Sequence, residues 1–363
     1  MYEVLHILTG DDGGISAVVK NYYCYIDRQR IHFDIACTTE TEGNDIKALR
    51  DMGANIFHLP MKSLGIKAYT RSLKEILKKK TYSVIHVHEN QTSYIALKIA
   101  KQQGIKCRIA HAHTSSPYIS FLSEIRRISG IVLNYHYATN VIGCGELAGN
   151  RVFGKNNMKR KKAMILYNAI DLEKFRYNVA KRLDIREKLK ISDKFVVGFV
   201  GRLSPEKNIL FLLNIFKQLH RINEKSHLVI VGTGDEETKI RQYIQENDMV
   251  GYVHLMGKRR DVECMYQAFD VLVLPSLHEG FPLVVVEALA SGLQVVLSSN
   301  ITREFSFSEN VRYIDLDNKD LWVESLHALS KENLRNTGDG ELNQDMFDIR
   351  CIVRKLEALY CLR

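Results

Sequence analysis

The chain has 363 residues, 45% hydrophobic and 26% charged, which is too long for one ordinary core and too apolar for disorder, so two domains of ordinary size are expected. The net charge of +9 is uneven: residues 1–172 carry 24 Lys and Arg against 14 Asp and Glu, and the remainder 27 against 28. That imbalance suits anionic lipid headgroups, a phosphorylated acceptor or nucleic acid, although each basic run alone (Lys78, Lys79 and Lys80; Arg126 and Arg127; residues 159–162) also fits a solvated helix end.

The first residues form a short apolar run with Glu3 inside it and no basic flank, so they read as a strand and not as a signal peptide. Seven scattered cysteines without a Cys-x-x-Cys favour reduced thiols and a cytoplasmic protein. No stretch is apolar enough to span a bilayer; residues 128–145 come closest and are interrupted by Asn134, His136, Thr139 and Asn140.

Short β-rich runs at 4–9, 33–37, 56–59, 84–88, 108–113, 139–144 and 164–167 alternate with helical patterns. A second series follows at 195–200, 227–231, 253–256, 271–275, 294–297 and, more weakly, 311–314. Such alternation predicts α/β architecture, with parallel βαβ units and a ligand crevice at the carboxyl ends of the strands. Two Rossmann-like lobes are expected, the first over 1–172 and the second over 173–345, with substrates between them. A last helix over 346–360, apolar at Phe347, Ile349, Val353, Leu356 and Leu359, can return to the first lobe. Residues 333–343 read as a surface loop.

In chain order, the first candidate site is Gly13-Gly14, where paired glycines between a strand and a helix allow backbone amides close to a phosphate or sugar; an ordinary turn is equally consistent. His86-Val-His88 and His111-Ala-His113 end two strands. Residues at i and i+2 share a face, as metal ligands can, but no carboxylate or cysteine pattern joins them, and hydrogen bonding is the favoured role. After the strand at 195–200, Arg202 and Lys207 place a fork and a point charge where a diphosphate can be neutralised. Gly232-Thr-Gly234 follows the next strand but lacks the third glycine of a dinucleotide fingerprint. Asp315-Leu-Asp317 has the spacing of a metal-binding pair, yet its place after a weak strand makes that role incidental.

The most informative pair is Glu279 and Glu287. Gly280 and Pro282 break the strand before them, and Pro282 is expected as the first residue of a helix reaching 290 or 291. Glu279 then precedes the helix and Glu287 lies inside it, so they do not form a simple one-face pair; they read as flanking a ligand at a helix N-terminus. An acid placed for dipole reasons and a solvated turn residue remain the plainer alternative.

Together these residues resemble the family-four retaining glycosyltransferases of the two-lobed GT-B fold, over nearly the whole chain. The resemblance rests on Gly13-Gly14, His113-Thr114, Asn168-Ala-Ile-Asp171, Gly201-Arg202 with Lys207, Gly232-x-Gly234 and Glu279-x7-Glu287. It is nearest to the subgroup that builds bacterial exopolysaccharide and capsule. It implies that Arg202 and Lys207 meet the donor diphosphate, Glu287 the ribose and Glu279 the donor sugar. The amides of Gly280, Phe281, Pro282 and Leu283 would hold sugar hydroxyls, His113 would face the reacting sugar, and Gly14 and Gly234 would approach the donor. It also implies a UDP-sugar donor, a glycan or polyprenyl-diphosphate-linked glycan acceptor and no required metal or other cofactor. Asn168-Ala departs from the usual Asn-Gly, and Gly292-Leu-Gln from Gly-x-Pro, which affects hinge and helix-end geometry.

A glycosidase also uses two carboxylates, but has no need of Arg202 and Lys207. A non-hydrolysing sugar-nucleotide epimerase of the same architecture remains open, as does a noncatalytic basic scaffold; no stacking-aromatic motif supports nucleic-acid binding. The basic first half suggests peripheral attachment to the inner face of a membrane.

Overall fold

The computed structural model describes the chain apart from residues 11–13, 39–42, 114–120, 333–334, 336–341 and 362–363, and apart from the side chains of 121–123 and 126. Gly13, Thr114, the Arg126 side chain and most of the expected 333–343 loop therefore lie outside the described residues.

The chain divides into two compact units, residues 1–170 with 344–363, and residues 171–343. In the first unit, strands β1 (Tyr2–Leu8), β2 (Ile31–Cys37), β3 (Asn55–His58), β4 (Val84–Val87), β5 (Cys107–Ala112), β6 (Asn140–Gly143) and β7 (Ala163–Ile165) form a parallel sheet in the order β3-β2-β1-β4-β5-β6-β7. In the second, β8 (Phe195–Val200), β9 (Ser226–Val231), β10 (Val253–Leu255), β11 (Val271–Leu274), β12 (Gln294–Ser298) and β13 (Val311–Ile314) form another, ordered β10-β9-β8-β11-β12-β13. All thirteen expected strands are present.

The sequences explain the layers. Strands such as β4 and β11 are buried at every position because helices cover both faces of a parallel sheet, so they read as continuous apolar runs. The covering helices carry an apolar stripe of helical period instead. In Ile209–Ile222, for example, Ile209, Leu212, Leu213, Phe216 and Leu219 are buried.

In each sheet the order reverses between the first strand and the fourth, β1/β4 and β8/β11. Loops on either side of such a reversal diverge to opposite faces and open a crevice at the carboxyl ends of the strands.

The terminal helix packs in the first unit but is not continuous. Gln344–Phe347 and Ile349–Cys361 are separate segments, because Asp348 leaves the helix to pair with Ile170 in a parallel bridge, with Ile349 N donating to Ile170 O at 2.9 Å. Ile352, Val353, Leu356 and Tyr360 bury the longer segment. Among the described residues no helix is long and apolar enough to cross a membrane.

Candidate functional site

The carboxyl ends of β8 and β11 flank the reversal of the second sheet, and the loops that leave them are stitched together. Leu277 N donates to Glu206 O at 2.8 Å, and Asn208 Nδ2 to Pro275 O at 3.4 Å. Asn208 adopts a left-handed conformation (φ 56°) that turns the short 3₁₀ segment Pro205–Lys207 into the helix Ile209–Ile222. This joint brings Lys207 Nζ into an ion pair with Glu279 Oε1, which also accepts from Ser276 Oγ at 2.9 Å. Both partners of the pair are mostly buried, with side-chain exposures of 17% and 14%. Arg202, at the start of the same loop, is exposed.

Glu287 has a different partner. Its Oε2 accepts from Tyr266 Oη at 2.5 Å, and burial together with the Glu287 charge pushes the Tyr266 hydroxyl well above its usual range. The phenol therefore stays protonated and holds the half-buried carboxylate in one orientation. Glu279 and Glu287 are thus fixed separately, one by a cation and a hydroxyl, the other by a phenol.

The helix carrying Glu287 is Leu283–Ala290, with Pro282 as its N-cap and not its first residue. The shift has a simple cause: Pro282 has an extended ψ of 113° while its carbonyl accepts from Val285 N at 3.1 Å. Of residues 280–283, Pro282 has no amide to offer, so only Gly280, Phe281 and Leu283 can donate. Phe281 is 4% exposed and packs its ring 4.6 Å from Phe305, so any ligand contact it makes runs through its backbone.

Gly234 and Gly232 serve first as packing residues. A Cβ on Gly234 would lie 2.4 Å from Leu203 O, and one on Gly232 1.8 Å from Gly201 O. The two loops approach this closely because Gly201 N donates to Val231 O and Leu203 N to Thr233 O, each at 3.0 Å.

In the first unit, Gly14 opens the helix Gly14–Tyr25 and is exposed. The two His-x-His pairs are part of a larger group that includes His6 of β1, a lone histidine that carries no motif in the sequence. His6 lies opposite His86 in the β1/β4 register, and His86, His88, His111 and His113 continue on the same face. His6 Nδ1 lies 3.1 Å from His88 Nε2, and His88 Nδ1 lies 2.8 Å from His113 Nε2. Separately, His86 Nε2 lies 3.2 Å from His111 Nδ1, and His86 Nδ1 lies 2.7 Å from Tyr360 Oη. Burial lowers every one of these rings, with His6 and His113 at about 3, so all are neutral at physiological pH.

Nitrogens of His6, His86 and His88, and of His88, His111 and His113, lie close enough to share a metal ion. Within these groups Nδ1–Nε2 hydrogen bonds join His6 to His88 and His88 to His113, and the rings meet at interplanar angles of 18° to 37°. Asp315 and Asp317 instead form a turn, Asp317 N donating to Asp315 Oδ1 at 3.0 Å.

A cavity of about 390 Å3 lies at the opposite, amino-terminal ends of β8 and β12, where Phe195 and Gln294 line it with Arg182, Asp270 and Arg335. Its arginines are already committed. Arg182 donates to the carbonyls of Gln267 (2.9 Å) and Phe269 (2.8 Å), and Arg335 to those of Tyr266, Gln267, Phe269 and Ser291. They close the end of the helix Val262–Ala268, and the cavity is structural.

Comparison with known proteins bears on the family and the fold. Residues 12–174 match the family model described as Glycosyltransferase Family 4, and residues 181–333 the model of Glycosyl transferases group 1. The putative glycosyltransferase EpsF of Bacillus subtilis is 31% identical over 83% of this chain and 80% of its own length. The UDP-Gal:alpha-D-GlcNAc-diphosphoundecaprenol alpha-1,3-galactosyltransferase of Escherichia coli is 28% identical over 80% of this chain and 78% of its own. Among solved structures, Anabaena HepE in complex with UDP and glucose superposes with a TM-score of 0.80 at 19% identity, covering 100% of both chains. Two parallel sheets with reversed strand order, each unit matched by its own family model, place the chain in the GT-B glycosyltransferases of family four.

Proposed function

We propose that the protein is a retaining glycosyltransferase that moves a sugar from a UDP-sugar to a hydroxyl of a polyprenyl-diphosphate-linked glycan during assembly of a surface polysaccharide such as capsule, exopolysaccharide or O-antigen. The observation that carries this reading is the Lys207–Glu279 pair at the β8/β11 reversal, with the Tyr266-held Glu287 on the adjoining helix. One cation and two separately fixed carboxylates suit a ligand with a diphosphate at one point and hydroxyls at two others. The UDP-bearing HepE structure and the UDP-galactose and lipid-diphosphate named for the Escherichia coli relative support the choice of donor and acceptor.

In this reaction Arg202 and Lys207 hold the diphosphate, Glu287 accepts from the ribose hydroxyls, and Glu279 and the amides of Gly280, Phe281 and Leu283 hold the sugar. His113 hydrogen-bonds the transferred sugar, with Gly14 and Gly234 close to the donor. The acceptor oxygen bonds to the anomeric carbon on the face from which the diphosphate leaves, its proton passing to a phosphate oxygen as the carbon–oxygen bond to the diphosphate breaks. Two cations and the first-turn amides of Leu283–Ala290 stabilise the departing charge, so no divalent ion is required and rates are expected to withstand a chelator.

Binding only the folded protein, UDP is expected to raise the melting temperature of the wild type by RT ln(1 + [L]/Kd) in free-energy terms. That shift should vanish in Arg202→Ala and Glu287→Ala. A full shift in both variants would remove the donor site from this place, and accumulation of an epimerised UDP-sugar without acceptor would replace transfer by epimerisation.

A lipid-linked acceptor calls for a membrane-facing surface, and two features of the first unit support that reading. The helix Phe121–Tyr137 exposes Ile125, Ile128 and Val132 at 48%, 54% and 62%, a stripe at helical spacing. The basic run 159–162 docks at the end of this helix. Lys162 Nζ donates to the carbonyls of Tyr135 and Ala138 and lies 3.6 Å from the Tyr135 ring centroid, leaving Lys159, Arg160 and Lys161 exposed. Apolar residues beside clustered cations match an anionic bilayer surface. Flotation with anionic liposomes should fall at least about tenfold in Lys159→Glu/Lys161→Glu, at roughly 1 kcal/mol per cation. Equal flotation with neutral liposomes would argue against this surface.

A further inference from the structure

The three rings His6, His88 and His113 form one ladder that runs from sealed core to partial exposure. His6 and His88 have no exposed surface, while His113, just after β5, is half-buried. Each link joins the Nδ1 of one ring to the Nε2 of the next. A neutral imidazole has one N–H and one lone pair, and every link needs one of each. Only two arrangements satisfy both links: the proton on Nδ1 in all three rings, or on Nε2 in all three. A mixed arrangement sets two N–H groups, or two lone pairs, against each other.

The inner end decides between them. His6 Nε2 is buried with no hydrogen-bond partner, and the His6 ring packs 4.2 Å from that of Phe33. The all-Nε2 arrangement strands an N–H donor there, the costlier group to leave unpaired in an apolar surrounding. The all-Nδ1 arrangement leaves only a lone pair. His6 then donates to His88, His88 donates to His113, and the proton of His113 is left on Nδ1. The main chain at His113 is fixed as well, its N–H donating to Asn90 Oδ1 at 2.9 Å, while Asn90 O accepts from the buried Asn134 at 3.0 Å.

We propose that His88 and His6 are positioning residues that lock His113 in the Nδ1–H tautomer, so that it meets the transferred sugar as a hydrogen-bond donor and never as an acceptor. This rests on the placement of His113 at that sugar in the proposed function. Such a lock removes the wrong tautomer before substrate arrives, and it acts through two rings that touch no ligand.

The test uses the full chain labelled with 15N-histidine. Two-bond proton–nitrogen correlation should show His113 as Nδ1–H in the wild type and as a mixture of tautomers in His6→Phe. The same substitution should lower kcat by about two- to tenfold, the scale of one neutral hydrogen bond, with the donor KM unchanged. His6→Asn retains an N–H near the Nδ1 position and should restore both the single tautomer and the rate, and it also guards against a folding defect in the Phe variant. In a His113→Phe background, His6→Phe should have no further effect on kcat, whereas a general packing role would remain additive. His113 protonated on Nε2, or stoichiometric zinc held by the rings, would overturn the ladder. A His6→Phe variant that keeps the single Nδ1–H tautomer would overturn the lock, whereas one that becomes a tautomer mixture yet turns over at the wild-type rate would overturn the positioning role and trace the fault to the placement of His113 at the sugar.

Discussion

Lys207→Met is expected to lower kcat/KM for the sugar nucleotide by about 10²- to 10³-fold, the range for removing one charge-stabilising donor from a reaction centre. Met keeps most of the length and apolar stem of Lys and removes only the ammonium. That ammonium pairs with Glu279, which also accepts from the Ser276 hydroxyl. The variant therefore loses a cation for the diphosphate and leaves the Glu279 carboxylate near it without that ammonium, so both effects act in the same direction. Stability should fall as well: the pair is mostly buried but keeps some exposure, so the cost is expected between the about 0–1 kcal/mol of a surface pair and the about 3–5 kcal/mol of removing one partner from a fully buried one. Ser276→Ala, which removes one hydroxyl and keeps the charges, should cost no more than about tenfold. Steady-state kinetics with thermal melting separates the cases: a large fall in melting temperature with unchanged kcat/KM would make the pair a structural one.

The contrast between what was legible in the sequence and what was not follows from the range of the interactions. Parallel strands buried on both faces announce themselves as apolar runs, which is why β8 and β13 match their expected limits and the other strands end within about two residues of theirs. The break at Asp348 depends on a bridge to Ile170, far away in the chain, and the heptad-like apolar pattern runs through it without a mark. Likewise, Lys207 and Glu279 could each be placed at a strand end from local signals, but their contact required β8 and β11 to be neighbours. Tyr266 as the partner of Glu287 carried no signal at all, since a tyrosine in an apolar helix reads as core. His6 is the clearest case. One histidine in a first strand has no pattern, and its meaning arises only when the β1/β4/β5 register sets it beside His88 and, through His88, in line with His113.

Gly232→Ala is expected to destabilise the second unit by about 4 kcal/mol or more, at the upper end of single substitutions, and with it to abolish donor binding. An ideal Cβ on Gly232 would sit 1.8 Å from the carbonyl oxygen of Gly201, and φ there is +142°, a region that side-chain-bearing residues rarely adopt. Neither backbone can retreat. Gly201 N is bonded to Val231 O, Leu203 N to Thr233 O and Gly232 N to Gly257 O at 2.9 Å, so relief of the clash breaks the links that align the Arg202–Lys207 loop. At roughly 2–4 °C per kcal/mol for a unit of this size, the melting temperature should fall by about 8–16 °C. Gly257→Ala separates backbone strain from the clash: φ is +62° but nothing lies within 4 Å of the added carbon, and a cost of about 1–2 kcal/mol is expected. Gly14→Ala, with ordinary φ and open space, should be close to neutral in stability, so any loss of turnover there reports on the donor. If Gly232→Ala melts like Gly257→Ala and still binds UDP, the loops tolerate separation, and the close approach of β8 and β9 is not what sets the diphosphate residues in place.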